Sequence, residues 1–309
     1  MSRLFEALSD MEPGQPWPKV VPRSAVPHVA IQVGARAAVV VPPAGPDLRP
    51  ARPRPSQDTA VPKDFPPKPA DSAGMRRIPI KVPHESRLVA LTDPNSLGAE
   101  KFRALVTRLE NLQEQSELKS FQVTSSVIRE GKTLVSGNVA VTLAKHFGSK
   151  TLLIEGDLHR PTLATIFGLN KIRGLSHWWS GQDQDLAQFI YKLDDVPLWF
   201  LPAGEPYDRP SDILHSARFV KAFEQLTSQF DWIVVDSTPI LPIIDVNLWS
   251  RLVDGTLLVV REGVTPVKAL TQGLRALDHP KLIGVVLNEA TATNEVKYAG
   301  QYCGSQKRK

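Results

Sequence analysis

Residues 121–147 read FQVTSSVIREGKTLVSGNVAVTLAKHF, and no other stretch limits the possible fold so tightly. Four β-favouring residues, 121–124, run into the loop Ser126-Val127-Ile128-Arg129-Glu130-Gly131-Lys132-Thr133. After it Leu134, Val135, Val139, Leu143 and Phe147 recur at helical spacing. A strand that turns directly into a helix aims backbone N–H groups and the positive end of the helix dipole at one point, which suits a polyphosphate. Gly131 lets the backbone approach the anion, Lys132 supplies a charge for the outer phosphates, and the Thr133 hydroxyl can hold Mg²⁺. Ser126 stands where such loops usually begin with Gly. The alternative is a solvent-facing turn that merely contains Gly-Lys-Thr.

Further apolar runs without alternation follow, at residues 152–154, 198–201, 232–235, 257–260 and 283–287. Helical stretches are expected from a cap at Asn95 or Ser96 to about 115, and at 211–229, 245–252 and 266–277, which separate most of the runs. Strands of this kind spaced by helices predict an α/β fold, a mostly parallel sheet with helices on both faces. Ligands on such sheets bind outside the carboxyl ends of the strands. Acids follow two of the runs, in Leu153-Ile154-Glu155-Gly156-Asp157 and in Val234-Val235-Asp236-Ser237-Thr238. Mg²⁺ keeps most of its waters, so one or two acids beside Thr133 and the phosphates suffice for it. Each acid could instead cap the helix or turn after it.

The remaining sequence is of another kind. Of the 27 prolines, 17 precede His84, a crowding that predicts a disordered tether over residues 13–85 rather than a packed domain. Residues 1–12 carry Leu4, Phe5, Leu8 and Met11 near one helical face, either a docking peptide or a frayed end. The domain proper is expected at 86–292, with a basic tail at 293–309. A formal net charge of +5 does not point to a specific nucleic-acid partner. The single cysteine, Cys303, excludes an internal disulfide framework. The most apolar part of the tether, residues 20–41, is interrupted by Arg23, His28 and Arg36 and falls short of a membrane span. His159, His177 and His215 show no ligand spacing, and Trp178 and Trp179 read as packing residues.

Taken together, residues 124–133, 152–161 (LLIEGDLHRP) and 231–239 (DWIVVDSTP) resemble the bacterial tyrosine kinases of capsule and exopolysaccharide biosynthesis, a branch of the MinD/ParA-like P-loop ATPases. Gly174-Leu175-Ser176, Leu201-Pro202-Ala203-Gly204 and Ile283-Gly284-Val285-Val286-Leu287-Asn288 add to the resemblance. It implies a P-loop NTPase domain that binds ATP and Mg²⁺. Ser126, Arg129, Glu130, Gly131, Lys132, Thr133 and Leu134 would cradle the nucleotide, with Asn288 near the adenine. Lys132, Asp157 and Asp236 would be catalytic, and Thr133, Asp157 and Asp236 would face the metal. The family's usual Asp is Glu155 here, its Arg two residues after Asp157 is His159, and its loop Pro-Gly is Ile128-Arg129. The second lysine of partitioning ATPases is Val127, which favours the kinase branch over a positioning ATPase. In the family's oligomerisation helix Glu100 and Arg103 match and Val106 departs, so self-association stays an open expectation.

The resemblance also assigns a role to the tail. Tyr298 and Tyr302 are two of only four tyrosines, and they stand as phosphoacceptor candidates or as ordinary exposed tyrosines. The expected activity is an ATP-dependent protein-tyrosine kinase, self-phosphorylating and regulating exopolysaccharide polymerisation or export. The alternative is an ATP-binding regulatory module with weak catalysis. Either would act in the cytoplasm, recruited to the inner face of the membrane by a membrane-anchored polysaccharide co-polymerase or chain-length-determinant protein.

Overall fold

The structure, a computed structural model, describes residues 76–83, 85–169, 171–181, 185–241, 245–277 and 281–289, and the backbone of two short strands before them. Those strands are β1 (Ala30–Ile31) and β2 (Ala38–Val40). The others are β3 (Arg77–Ile78), β4 (Ser120–Ser125), β5 (Thr151–Glu155), β6 (Tyr191–Leu193), β7 (Leu198–Leu201), β8 (Trp232–Asp236), β9 (Gly255–Arg261) and β10 (Leu282–Asn288). They form one sheet in the order β1-β2-β10-β9-β4-β8-β5-β7-β6-β3. Every pairing from β10 to β7 is parallel, as the unalternating apolar runs predict. Antiparallel pairs occur only toward the edges, β1 on β2, β2 on β10 and β6 on β7.

Both faces are covered because successive residues of each strand serve different cores. Val123, Leu153, Val234 and Leu257 pack with helices α2 (Leu97–Gln115) and α3 (Lys132–His146). Their chain neighbours Leu152, Ile154, Ile233 and Val235 pack on the other side with Phe219, Phe223, Trp249 and Trp178. The burial of Trp178 agrees with its reading as a packing residue, and Trp179 lies partly buried against the same cluster. Helix α3 is buried without a break from Val135 to Ala144. Helix α2 starts on a cap, the Ser96 hydroxyl accepting the Ala99 N–H at 3.2 Å. The short helix α1 (Val89–Thr92) precedes it.

One predicted helix is two. The stretch expected to be continuous over 211–229 divides into α6 (Pro210–Leu214) and α7 (Ala217–Gln229). Ser216 adopts an extended conformation between them and its hydroxyl accepts the Phe219 N–H at 3.1 Å. A residue that caps from outside the helix ends whatever precedes it. Helices α4 (Leu163–Ile166), α5 (Leu175–Ser180), α8 (Asp245–Leu252) and α9 (Val267–Ala276) complete the covering layers. Among the described residues no helix is long and apolar enough to cross a membrane. The amphipathic opening segment, most of the tether and the tail with Tyr298 and Tyr302 lie outside the described residues.

Candidate functional site

Three parallel strands set the site. β4 lies between β9 and β8, and β8 lies next to β5, so the loop after β4 and the acids after β8 and β5 share one edge. The loop is shaped by its own groups. Arg129 has φ of 66° and Gly131 has φ of 95°, so two left-handed residues turn the chain into α3. Gly131 meets a second constraint, since a Cβ there would run into the Asn288 amide. The first-turn N–H groups of Lys132, Thr133 and Leu134 have no helical partner by position and are available to an anion.

Glu130 serves the loop differently from the expectation. Its carboxylate is buried, accepts the Val127 N–H at 2.9 Å and is bonded by the Thr265 hydroxyl. Thr265 in turn accepts the Arg261 N–H at 2.9 Å. Burial pushes the Glu130 carboxyl up, and the Thr265 bond offsets part of that. The Glu130 side chain therefore ties the loop, through Thr265, to the end of β9. Asn288 is also committed to the protein: its amide donates to Glu130 O at 2.9 Å and its carbonyl accepts the Glu289 N–H at 3.0 Å.

Ser126 is fully buried and its hydroxyl has no hydrogen-bond partner. What makes room for it is Gly273 of α9, where a Cβ would sit 3.1 Å from Ser126 Oγ and 3.3 Å from Ile240 Cδ1. A glycine missing from the loop is answered by one on the facing helix. Gly273→Ala is expected to be more stabilising, by about 1 kcal/mol, in a Ser126→Gly background than in the original one. Urea denaturation of the four proteins measures this, and strictly additive effects would refute the complementarity.

The charges converge on Lys132. Its ammonium lies 3.0 Å from Asp157 Oδ2 and 3.7 Å from Asp236 Oδ1. Burial alone would lower the Lys132 pKa, but the two carboxylates raise it. Asp157 also accepts the Arg160 N–H at 3.0 Å through Oδ1. Burial pushes the Asp236 carboxyl up, with the Lys132 charge and the Thr133 and Ser136 hydroxyls drawing it back. Ser136, one turn beyond Thr133 on the same face of α3, escaped the sequence reading although its spacing could have revealed it. Asp236 Oδ1 is buried without a hydrogen-bond partner. An orphaned carboxylate oxygen beside a hydroxyl and a second acid fits a hard divalent cation that prefers oxygen ligands. Among the described residues no group of three His, Cys, Asp or Glu could hold a metal by themselves.

Glu155 is register partner of Asp236 on the neighbouring strand but does not join this cluster. Its Oε1 accepts the N–H groups of Leu163 at 2.5 Å and Ala164 at 3.1 Å, and its Oε2 accepts that of Ala203 at 3.1 Å. Of the two readings left open for this acid, the cap describes it. Burial pushes its carboxyl up, with the backbone bonds opposing. His159 pairs with Asp245, Nε2 to Oδ2 at 2.9 Å.

A loop of this geometry opening α3, with acids at the ends of two adjacent parallel strands, defines a P-loop nucleotide-binding protein. No model of a known protein family matches the chain. The putative tyrosine-protein kinase CapB of Staphylococcus aureus is 32% identical over 212 residues, 68% of this chain and 92% of CapB. The succinoglycan biosynthesis transport protein ExoP of Rhizobium meliloti is 30% identical over 228 residues, 72% of this chain but 28% of ExoP. The kinase domain of the Escherichia coli tyrosine kinase ETK superposes with a TM-score of 0.62 at 26% identity, over 67% of this chain and 81% of that domain. The chain belongs to the bacterial tyrosine-protein kinase family.

Proposed function

We propose that the chain transfers the γ-phosphoryl group of ATP to tyrosine, first to its own tail, and thereby regulates exopolysaccharide polymerisation or export. The observation that carries this is the buried cluster of Lys132, Asp157 and Asp236 beside the first turn of α3. In the proposed reaction the bond between the γ-phosphorus and the β,γ-bridging oxygen breaks as the tyrosyl oxygen bonds to that phosphorus. Lys132 and the amides of residues 129–134 neutralise the phosphate charge. Asp157 orients the tyrosyl hydroxyl and accepts its proton. Thr133, Asp157 and Asp236 would hold Mg²⁺, which supplies charge stabilisation on the outer phosphates when bound. The amides of Gly131 and Leu134 and the side chain of Arg129 complete the proposed cradle; Asn288 contributes by holding the loop.

The partner we propose is a membrane-anchored polysaccharide co-polymerase. ExoP, named for succinoglycan biosynthesis transport, supports it, because the region similar to this chain makes up only 28% of that protein. For this chain the co-polymerase would be a separate molecule that brings it to the inner face of the membrane. Self-association belongs to the same proposal, although Arg103 already bonds Glu100 and, at 2.8 Å, Pro94 O within its own chain.

Mass spectrometry after incubation with Mg²⁺ and ATP tests the proposal, with phosphate expected on Tyr298 and Tyr302. A second reading, an ATP-binding module with little phosphotransfer, is favoured by one observation: Glu155, in the family's acidic position, is spent on backbone amides. Tight nucleotide binding with no phosphotyrosine, even beside the co-polymerase, would establish that reading instead.

A further inference from the structure

A cleft of about 340 Å³ is lined by Arg173, Ser176, His177, Ser180, Glu205 and Tyr207 among others. Its walls are α5 and the segment after β7, and they are joined by backbone bonds. Leu175 N–H donates to Pro202 O and Ser176 N–H to Ala203 O, both at 2.9 Å. A third bond, from Tyr207 N–H to Leu158 O at 2.9 Å, fixes the far wall to the residue following Asp157. Trp179 Nε1 donates to the Tyr207 hydroxyl at 3.1 Å, and the Arg173 guanidinium lies over the Phe189 ring at 5.1 Å. The cleft is thus built in advance and anchored to the loop that carries Asp157.

Its chemistry narrows what it can take. Arg173 and Glu205 provide one charge of each sign, and neither has an ionic partner among the described residues. Three hydroxyls and an imidazole add hydrogen-bonding groups of both senses. A phosphate would meet the Glu205 carboxylate, whereas a short polypeptide with charges of both signs would be matched. The chain carries such a segment: Glu295 and Lys297 stand three residues and one residue before Tyr298. At full extension this span covers about 10 Å, at ~3.3 Å per residue. Ala299, Gly300 and Gln301, before Tyr302, are uncharged.

We infer that this cleft is the acceptor subsite of the kinase and takes residues 295–297 of the tail, Glu295 against Arg173 and Lys297 against Glu205. That seats Tyr298 before Asp157 and makes it the preferred acceptor over Tyr302. The inference rests on the kinase reading and names its substrate class, a tyrosine preceded by a basic and then an acidic residue.

A labelled peptide of residues 292–304 and the full chain test it by fluorescence anisotropy. Glu205→Lys is expected to weaken binding by about fivefold. The same peptide carrying Lys297→Glu should bind that variant at least as tightly as the two original molecules bind each other. Arg173→Glu with the Glu295→Lys peptide should behave likewise. Initial rates followed with ATP should show the loss in KM for the peptide, with KM for ATP unchanged within about twofold. If both peptides bind both proteins equally, the subsite is wrong, whether or not phosphate is transferred. If the charge exchange holds but no tyrosine is phosphorylated, the subsite stands and the kinase reading falls.

Discussion

Lys132→Met protein incubated with Mg²⁺ and ATP is expected to carry no phosphate on Tyr298 or Tyr302. The ammonium makes charge-assisted bonds, each worth about 1.5–3 kcal/mol. Losing two in the transition state corresponds to roughly 10²–10⁴ in rate. The same change leaves Asp157 and Asp236 without the cation that lies 3.0 Å and 3.7 Å from them. Removing one partner of a buried ionic cluster costs about 3–5 kcal/mol, so an inactive protein could simply be an unfolded one. Lys132→Arg separates the cases, because it keeps the charge between the acids while moving the donors. Intact circular dichroism with a rate loss above about 10² in that variant supports a role in the chemistry. Full activity in either variant would remove Lys132 from the mechanism.

The second large effect is one of stability. Glu155→Ala strips the buried N–H groups of Leu163 and Ala203 and the part-buried N–H of Ala164 of their common acceptor. Unpaired buried donors and the lost charge-assisted bonds together should cost about 3 kcal/mol. For a folded region of this size that lowers Tm by about 6–12 °C. Glu155→Gln keeps one carbonyl acceptor and should lose less. Were Glu155 instead to act on phosphate or metal, Glu155→Gln would leave Tm in place and abolish transfer. Scanning calorimetry alongside the phosphorylation assay decides between them.

The parts of the site legible in the sequence are those held by local order. A strand, a loop with Gly131 and Lys132, and a helix must follow one another, so their composition announces them. Asp236 was legible for the same reason, standing at the end of a buried apolar run. Glu155 could be placed but not assigned, because its acceptors' donors lie 8 to 48 residues away in sequence. Greater separations hid the rest: 135 residues between Thr265 and its partner Glu130, 158 between Asn288 and Glu130, and a comparable stretch between Ser126 and the Gly273 that leaves it space. Strands β3 and β6, of two and three residues, are too short to carry a period. The break at Ser216 was hidden because a serine is tolerated inside a helix as well as at its cap.

The bond from Asn288 to Glu130 O couples β10, the last described strand in the sequence, to the loop after β4. Asn288 ends β10, and the chain leading to both tail tyrosines continues from there. The side chain that ends β10 thus helps to fix the shape of the loop. In the proposed reaction, the strand that braces the phosphate loop is therefore also the one from which the chain runs on toward the tyrosines to be phosphorylated.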